Sequence, residues 1–70
     1  MSISTQRQVA NQIKKLLESK GKSAEKLALE MGMSVSYFYA FLNGRKGISL
    51  KTLSRIAEAL DCGVKDLFPD

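Results

Sequence analysis

Histidine and tryptophan are absent from the 70-residue chain, which has a single cysteine, Cys62, and a single proline, Pro69. Without histidine and with one thiol, no conventional zinc site can be assembled and no intrachain disulfide can form. Cys62 has no base in the sequence to activate it, and it reads as a small hydrophobe at a helix end. There is no glycine-rich phosphate loop and no set of paired metal ligands, so no catalytic residue, metal or cofactor is nominated and the chain does not read as an enzyme. No apolar run approaches the roughly 20 residues of a membrane span. The amino-terminal MSISTQRQVANQ is too polar for a signal peptide. A reducing cytoplasm and no membrane are the expectation.

What the chain does have is an apolar share of 44% and little glycine or proline, a composition that folds. Its length suits one domain over residues 1–70, with a core small enough that tight packing or dimerisation must help. The net charge is +4, unevenly spread. Residues 1–55 carry ten Lys or Arg against three acids, whereas residues 56–70 carry Lys65 against Glu58, Asp61, Asp66 and Asp70. An anionic partner at the basic part is one reading of this split, and a solvated surface is the other.

Residues 23–44 hold the most informative pattern. Ser23 can cap a helix in which Ala24, Leu27, Ala28 and Met31 recur at helical spacing until Gly32. Met33 crosses a turn, and Ser34 can cap a second helix that stops at Gly44. Phe38, Phe41 and Leu42 share one face of that helix, while Val35, Ser36, Tyr39, Ala40 and Asn43 fall towards another. This is a helix-turn-helix. Its second helix, wedged from one side, projects as a ridge narrow enough for the major groove of DNA.

Before this unit, Thr5 and Gln8 form a possible capping box, followed by an apolar stripe of Val9, Ile13, Leu16 and Leu17 that should end near Gly21. Lys14, Lys15 and Lys20 lie off the stripe and read as solvated surface. After it, the spacing predicts a helical segment over 49–68 in two parts. Ser49 caps a fourth helix with Leu50, Leu53, Ile56, Ala57 and Leu60 on its apolar face, and Val64 to Phe68 form a last short helix before Pro69. The predicted fold is all-α, a compact five-helix bundle.

From about Ile13 to Phe68 these residues resemble the Cro and phage-repressor type of helix-turn-helix regulator, with a lambda-repressor-like DNA-binding domain. The resemblance is carried by Leu27-Ala28, Gly32, Ser34, Asn43-Gly44, Ser49-Leu50, Ile56-Ala57-Glu58-Ala59-Leu60 and Leu67-Phe68. Within that family, Ser34-Val35-Ser36-Tyr37 is similar to restriction-modification controller proteins, which often carry Thr-Tyr where Ser36-Tyr37 stand. Many relatives have a basic residue at the position of Leu17 and a glutamate at that of Leu42. The joint apolar replacement of a partly buried ion pair is physically sensible and predicts that Leu17 and Leu42 meet.

The resemblance implies a cytoplasmic, homodimeric, sequence-specific transcriptional regulator that sets its recognition helix into double-stranded DNA at a near-palindromic operator, possible autoregulation included. Val35, Ser36 and Ala40 are the candidates for base edges, although none of them makes a bidentate contact. Tyr37 and Tyr39 are candidates for phosphate, base or sugar contacts, or for the groove of a partner protein. Arg45 and Lys46 are candidates for flanking phosphates. Asn43 either bonds a phosphate or ends its helix, and the amides near Ser23 and Ala24 offer a small anion site. Val64, Leu67 and Phe68 either cover the end of the bundle or form a two-fold seam. The alternative function is an antitoxin-like or adaptor module that binds a protein partner.

Overall fold

The computed structural model describes residues 3–68, and the helix boundaries from Ser19 onward have local chemical causes. Four α-helices follow one another: α1 (Ile3–Ser19), α2 (Ala24–Glu30), α3 (Val35–Leu42) and α4 (Leu50–Ala59). A 3-10 turn, Val64–Leu67, completes the order, and no strand occurs among the described residues.

Three serines start three of the helices. The hydroxyls of Ser23, Ser34 and Ser49 accept the main-chain N–H groups of Lys26, Tyr37 and Thr52 at 3.1, 3.3 and 3.1 Å. Each bond satisfies a donor that the first helical turn leaves without a carbonyl partner. All four helices stop in the same way. Gly21, Gly32, Gly44 and Asp61 each take a positive φ, of 64, 66, 79 and 57°. That left-handed residue lets its own N–H and the next one fold back onto carbonyls of the last turn, as in Lys22 to Leu17 (2.9 Å) and Gly21 to Glu18 (3.1 Å). Equivalent pairs link Met33 to Ala28, Arg45 to Ala40 and Cys62 to Ala57.

The connections α1–α2 and α2–α3 are therefore the same short device. A left-handed glycine is followed by one residue and a capping serine, Gly21-Lys22-Ser23 and Gly32-Met33-Ser34. The α3–α4 connection differs, because Lys46, Gly47 and Ile48 are inserted between Arg45 and the capping Ser49.

The core gathers one face of every element. Val9, Ile13, Leu27, Phe38, Phe41, Leu53, Ile56 and Leu67 are wholly buried, and Leu17 and Leu42 are each 5% exposed. Phe38 and Phe41 stack at 6.3 Å between ring centroids and supply its largest side chains. Burying residues of this size contributes about 1.5–3 kcal/mol each, which makes the two aromatics of α3 central to holding the bundle together. Two side chains fasten peripheral pieces. Arg55 of α4 donates to the carbonyl of Met31, at the end of α2, and Gln12 of α1 donates to the carbonyl of Asp66 at 3.2 Å.

Three expectations are corrected. The first helix begins at Ile3, so Thr5 and Gln8 lie inside it and no capping box forms at Thr5; neither Ile3 nor Ser4 is a residue that stops a helix from running back past Thr5. The predicted fifth helix is a single 3-10 turn, giving four α-helices in place of five. Phe68 precedes Pro69 and takes an extended φ of −100° and ψ of 136°, as a residue before proline must, so the segment is too short to become a helix. Leu50, placed by spacing on the apolar face of α4, is the first residue of that helix and is 67% exposed. Of the two roles open to Val64, Leu67 and Phe68, the burial of Leu67 in the chain's own core fits the cover over the end of the bundle, with Val64 and Phe68 half-buried beside it. Among the described residues no helix is long and apolar enough to cross a membrane.

Candidate nucleic-acid interface

The same rules that end α2 and start α3 determine which side of α3 meets solvent. With Phe38, Phe41 and Leu42 turned into the core, Ser36, Tyr39 and Asn43 remain exposed, while Val35 and Ala40 are half-buried at its margins. Tyr39 is 40% exposed. Asn43 caps the end of α3 with its main-chain N–H on the carbonyl of Tyr39, which leaves its side chain at the surface.

On one flank, α3 and α1 enclose a shallow seam. Leu17 and Leu42 line it together, with Tyr39, Asn43, Lys14, Glu18, Lys22 and Ala24 around them. An adjoining depression shares Lys14, Leu42 and Asn43 and adds Arg7, Asn11 and Gly44. Arg7 lies across the end of α3: a Cβ on Gly44 would stand 3.8 Å from its Nε. Three cations, Arg7, Lys14 and Lys22, thus edge this flank, against the single acid Glu18. Lys14 reads from sequence as solvated surface, and Arg7 and Asn11 carry no assignment there. Their spacing of four and three residues puts the three on one helical face.

Directly after α3 comes the basic loop, where Arg45 and Lys46 are exposed. The loop is held by side chains of two helices. Gln6 Nε2 of α1 donates to the Lys46 carbonyl, and Tyr37 Oη of α3 donates to the Gly47 carbonyl at 2.8 Å. Tyr37, a candidate for contacts outside the chain, therefore has its hydroxyl proton committed to a main-chain partner within it.

Near the start of α2, the Ser23 side chain occupies the amide of Lys26, and Lys22 pairs with Glu30 at 2.8 Å. The Lys22 ammonium holds the Glu30 carboxyl below the ordinary glutamate range, first through that hydrogen bond and further through its charge, with a contribution from the charge of Lys26. Ala24 is half-buried against the core, with its side chain at the edge of the α1–α3 seam. Tyr39 of α3, Asn43 at its end and Ala24 at the start of α2 thus line one seam with α1, whereas Val64 and Phe68 lie in the turn that packs against α4 and α1.

Among the described residues no cluster of three or more metal-ligating side chains occurs. Burial, with the neighbouring charges of Asp66 and Asp61, pushes the Cys62 thiol up, opposite to what a nucleophile requires.

The fold defines an all-α helix-turn-helix protein. Residues 13–67 match the HTH_3 helix-turn-helix family, and the chain belongs to that family. No curated protein matches it significantly. Among solved structures, it is similar to the restriction-modification controller protein C.AhdI from Aeromonas hydrophila, with 29% identity and a TM-score of 0.86, over 94% of this chain and 96% of that one. An HTH_3 family transcriptional regulator from Vibrio cholerae matches at 28% identity and a TM-score of 0.84 over 93% of this chain. This chain spans 36% of that regulator's length. A hypothetical transcription factor from Neisseria, NHTF, shares the fold at 24% identity and a TM-score of 0.87, over 99% of this chain and 80% of that one. The family and its regulator neighbours support a DNA-binding regulator.

Proposed function

We propose that the chain is a sequence-specific transcriptional regulator that sets α3 into the major groove and acts as a homodimer on a near-palindromic operator. The observation that carries this reading is the arrangement around α3. An exposed ridge of Ser36, Tyr39 and Asn43 is bordered by Arg7 and Lys14 of α1 and followed in the chain by the exposed Arg45 and Lys46. A ridge that enters a groove needs cations for the phosphate strands beside it, and these four residues are the ones proposed for that role. On α3 itself, Val35 and Ala40 offer methyl groups suited to thymine and Ser36 offers a hydroxyl suited to several base edges. The similarity to a controller protein along almost the whole chain supports the same regulatory reading, to which the proposal adds autoregulation.

A homodimer is proposed because one recognition helix reads few base pairs, and two of them about 34 Å apart read a symmetric site. The long dimension of one chain, 27 Å, is compatible with that spacing. Val64 and Phe68 are the residues proposed for the seam.

The test is selection of binding sites from a random duplex library, followed by affinity for the winning site and for scrambled DNA across a salt series. An enriched inverted repeat is the expected result, with log K falling by about 0.9 per phosphate contact for each tenfold rise in salt. Equal affinity for every duplex would show that α3 does not read bases. Salt-insensitive binding, or none, would favour the protein-interaction alternative.

A further inference from the structure

Among the described residues the α3–α4 loop is the one connection of its kind. Where α1–α2 and α2–α3 pass from a left-handed glycine to a capping serine through a single residue, this one inserts Lys46, Gly47 and Ile48. Among the described residues these three donate to no main-chain carbonyl. A glycine within an exposed loop should make it loose. Instead, two successive carbonyls are captured from two different helices, Lys46 by Gln6 of α1 and Gly47 by Tyr37 of α3. On the amino-terminal side, the Arg45 N–H is fixed on the Ala40 carbonyl at 2.8 Å. The peptide planes before and after the Arg45-Lys46 pair are thereby held, and with them the directions in which the two basic side chains leave the backbone.

We propose that Gln6 and Tyr37 are positioning residues that lock the basic loop in its DNA-binding geometry before DNA arrives. The inference rests on the DNA-binding reading given above. Between Ser34 and Asn43 there is no charged side chain and none that makes a bidentate hydrogen bond to guanine, so Arg45 and Lys46 carry an unusual share of the recognition. A loop that is already ordered loses less conformational freedom on binding, and its affinity rises accordingly. Tyr37 thus acts through its bond to Gly47, and Gln6, which has no other role in the proposed interface, acts through its bond to Lys46.

The experiment compares Gln6→Ala and Tyr37→Phe, each in the wild-type background and in the Arg45→Ala/Lys46→Ala background, using the operator recovered by selection. Circular dichroism verifies folding; Tyr37 is 40% exposed and Gln6 lies at the surface of α1, so the core is untouched by either change. Each single substitution should raise Kd by about three- to tenfold, the size of one hydrogen bond, without altering the salt slope. In the Arg45→Ala/Lys46→Ala background the same substitutions should change Kd by less than about twofold, since the groups they position are gone. A merely structural role would not produce that coupling. If Tyr37→Phe keeps its full effect in that background, Tyr37 touches DNA directly and the proposal fails for it; if neither substitution alters Kd in the wild type, the proposal fails outright. Backbone order parameters for residues 46–48 in the free protein separate this failure from that of the underlying reading. They should fall in both variants whether or not DNA is bound, and unchanged values would overturn the proposal. Lowered values in a protein that shows no operator preference would leave the tethers real and remove the DNA-binding function.

Discussion

Asp61 is the one residue other than glycine that ends a helix in the left-handed region, at φ 57°, where α1, α2 and α3 all use glycine. Its replacement by glycine should stabilise the protein. The left-handed conformation costs an L-residue about 1–2 kcal/mol, somewhat less for Asp, whose short polar side chain tolerates it. The exposed carboxylate also lies at the negative end of α4, an unfavourable placement of about 0.3–1 kcal/mol. Against these gains stands the greater freedom of glycine in the unfolded chain, about 0.5–1 kcal/mol. The balance for Asp61→Gly is a gain of about 0.5–1 kcal/mol, or roughly 3–6 °C in Tm for a domain of this size. Asp61→Asn, which removes the charge and keeps the tolerance, should gain only a few tenths of a kcal/mol, and Asp61→Ala should lose stability. Urea unfolding with an unchanged m-value is the assay, and Cys62 N–H must retain its bond to the Ala57 carbonyl, now 2.9 Å, for the comparison to hold. If Asp61→Gly fails to raise the midpoint, or Asp61→Ala matches the wild type, the account of how these helices terminate is wrong.

Leu17→Arg/Leu42→Glu, which restores the ion pair common in relatives, should cost about 1–4 kcal/mol in chemical denaturation, because both sites are 5% exposed and charges there lose their hydration. Leu42→Glu alone should cost more than the pair, and a neutral single variant would show that the site is wetter than its burial indicates. Glu30 has a lowered folded-state pKa, so its contribution to stability is fully present above the unfolded value and is lost as pH falls through the folded one. NMR titration should place its midpoint below the ordinary glutamate value, with Lys22→Ala returning it towards that value. Leu53→Ala should cost about 2–5 kcal/mol, whereas Leu50→Lys, at a position 67% exposed, should stay within about 0.5 kcal/mol by the same assay.

The parts of this molecule that were legible in its sequence are those whose cause is local. A serine that caps a helix and a glycine that ends one act within four residues of themselves, and Ser23, Gly32, Ser34, Gly44 and Ser49 all do what their types dictate. Phe38 and Phe41 were likewise readable, because their spacing sets them on the face opposite Ser36, Tyr39 and Asn43. Leu50 falls on the apolar face by spacing and is exposed, because periodicity gives a helix face but not where the neighbouring helix ends, and Leu67 had two roles open because periodicity does not tell whether a buried face closes on its own chain or on a second copy. The loop tethers carried no sequence sign at all. A Tyr37 hydroxyl bonded to a carbonyl ten residues on, or a Gln6 amide bonded to one forty residues on, depends on side chains meeting main chain, which any residue type supplies. Arg7, Asn11 and Lys14 lay off the apolar stripe of α1, and only the placement of α3 beside them distinguishes their face from ordinary solvated surface.

The absence of charge between Ser34 and Asn43 divides the work of the proposed interface in a way that can be measured separately. Attraction to phosphate must come from residues beside α3, while discrimination among bases must come from α3 and from the loop that follows it. Neutralising Arg7 or Lys14 should therefore lower the salt slope by about one unit each and weaken operator and scrambled DNA alike. Enlarging Ala40 or exchanging Val35 should alter which operator is preferred and leave the slope untouched, because neither side chain releases a counterion. Arg45 belongs to both groups if its guanidinium reaches a base edge from the locked loop. Arg45→Lys, which keeps the charge and removes the planar fork, would then preserve the slope and lose operator preference. A preserved preference would assign Arg45 to phosphate alone and leave discrimination to the methyl groups and hydroxyls of α3.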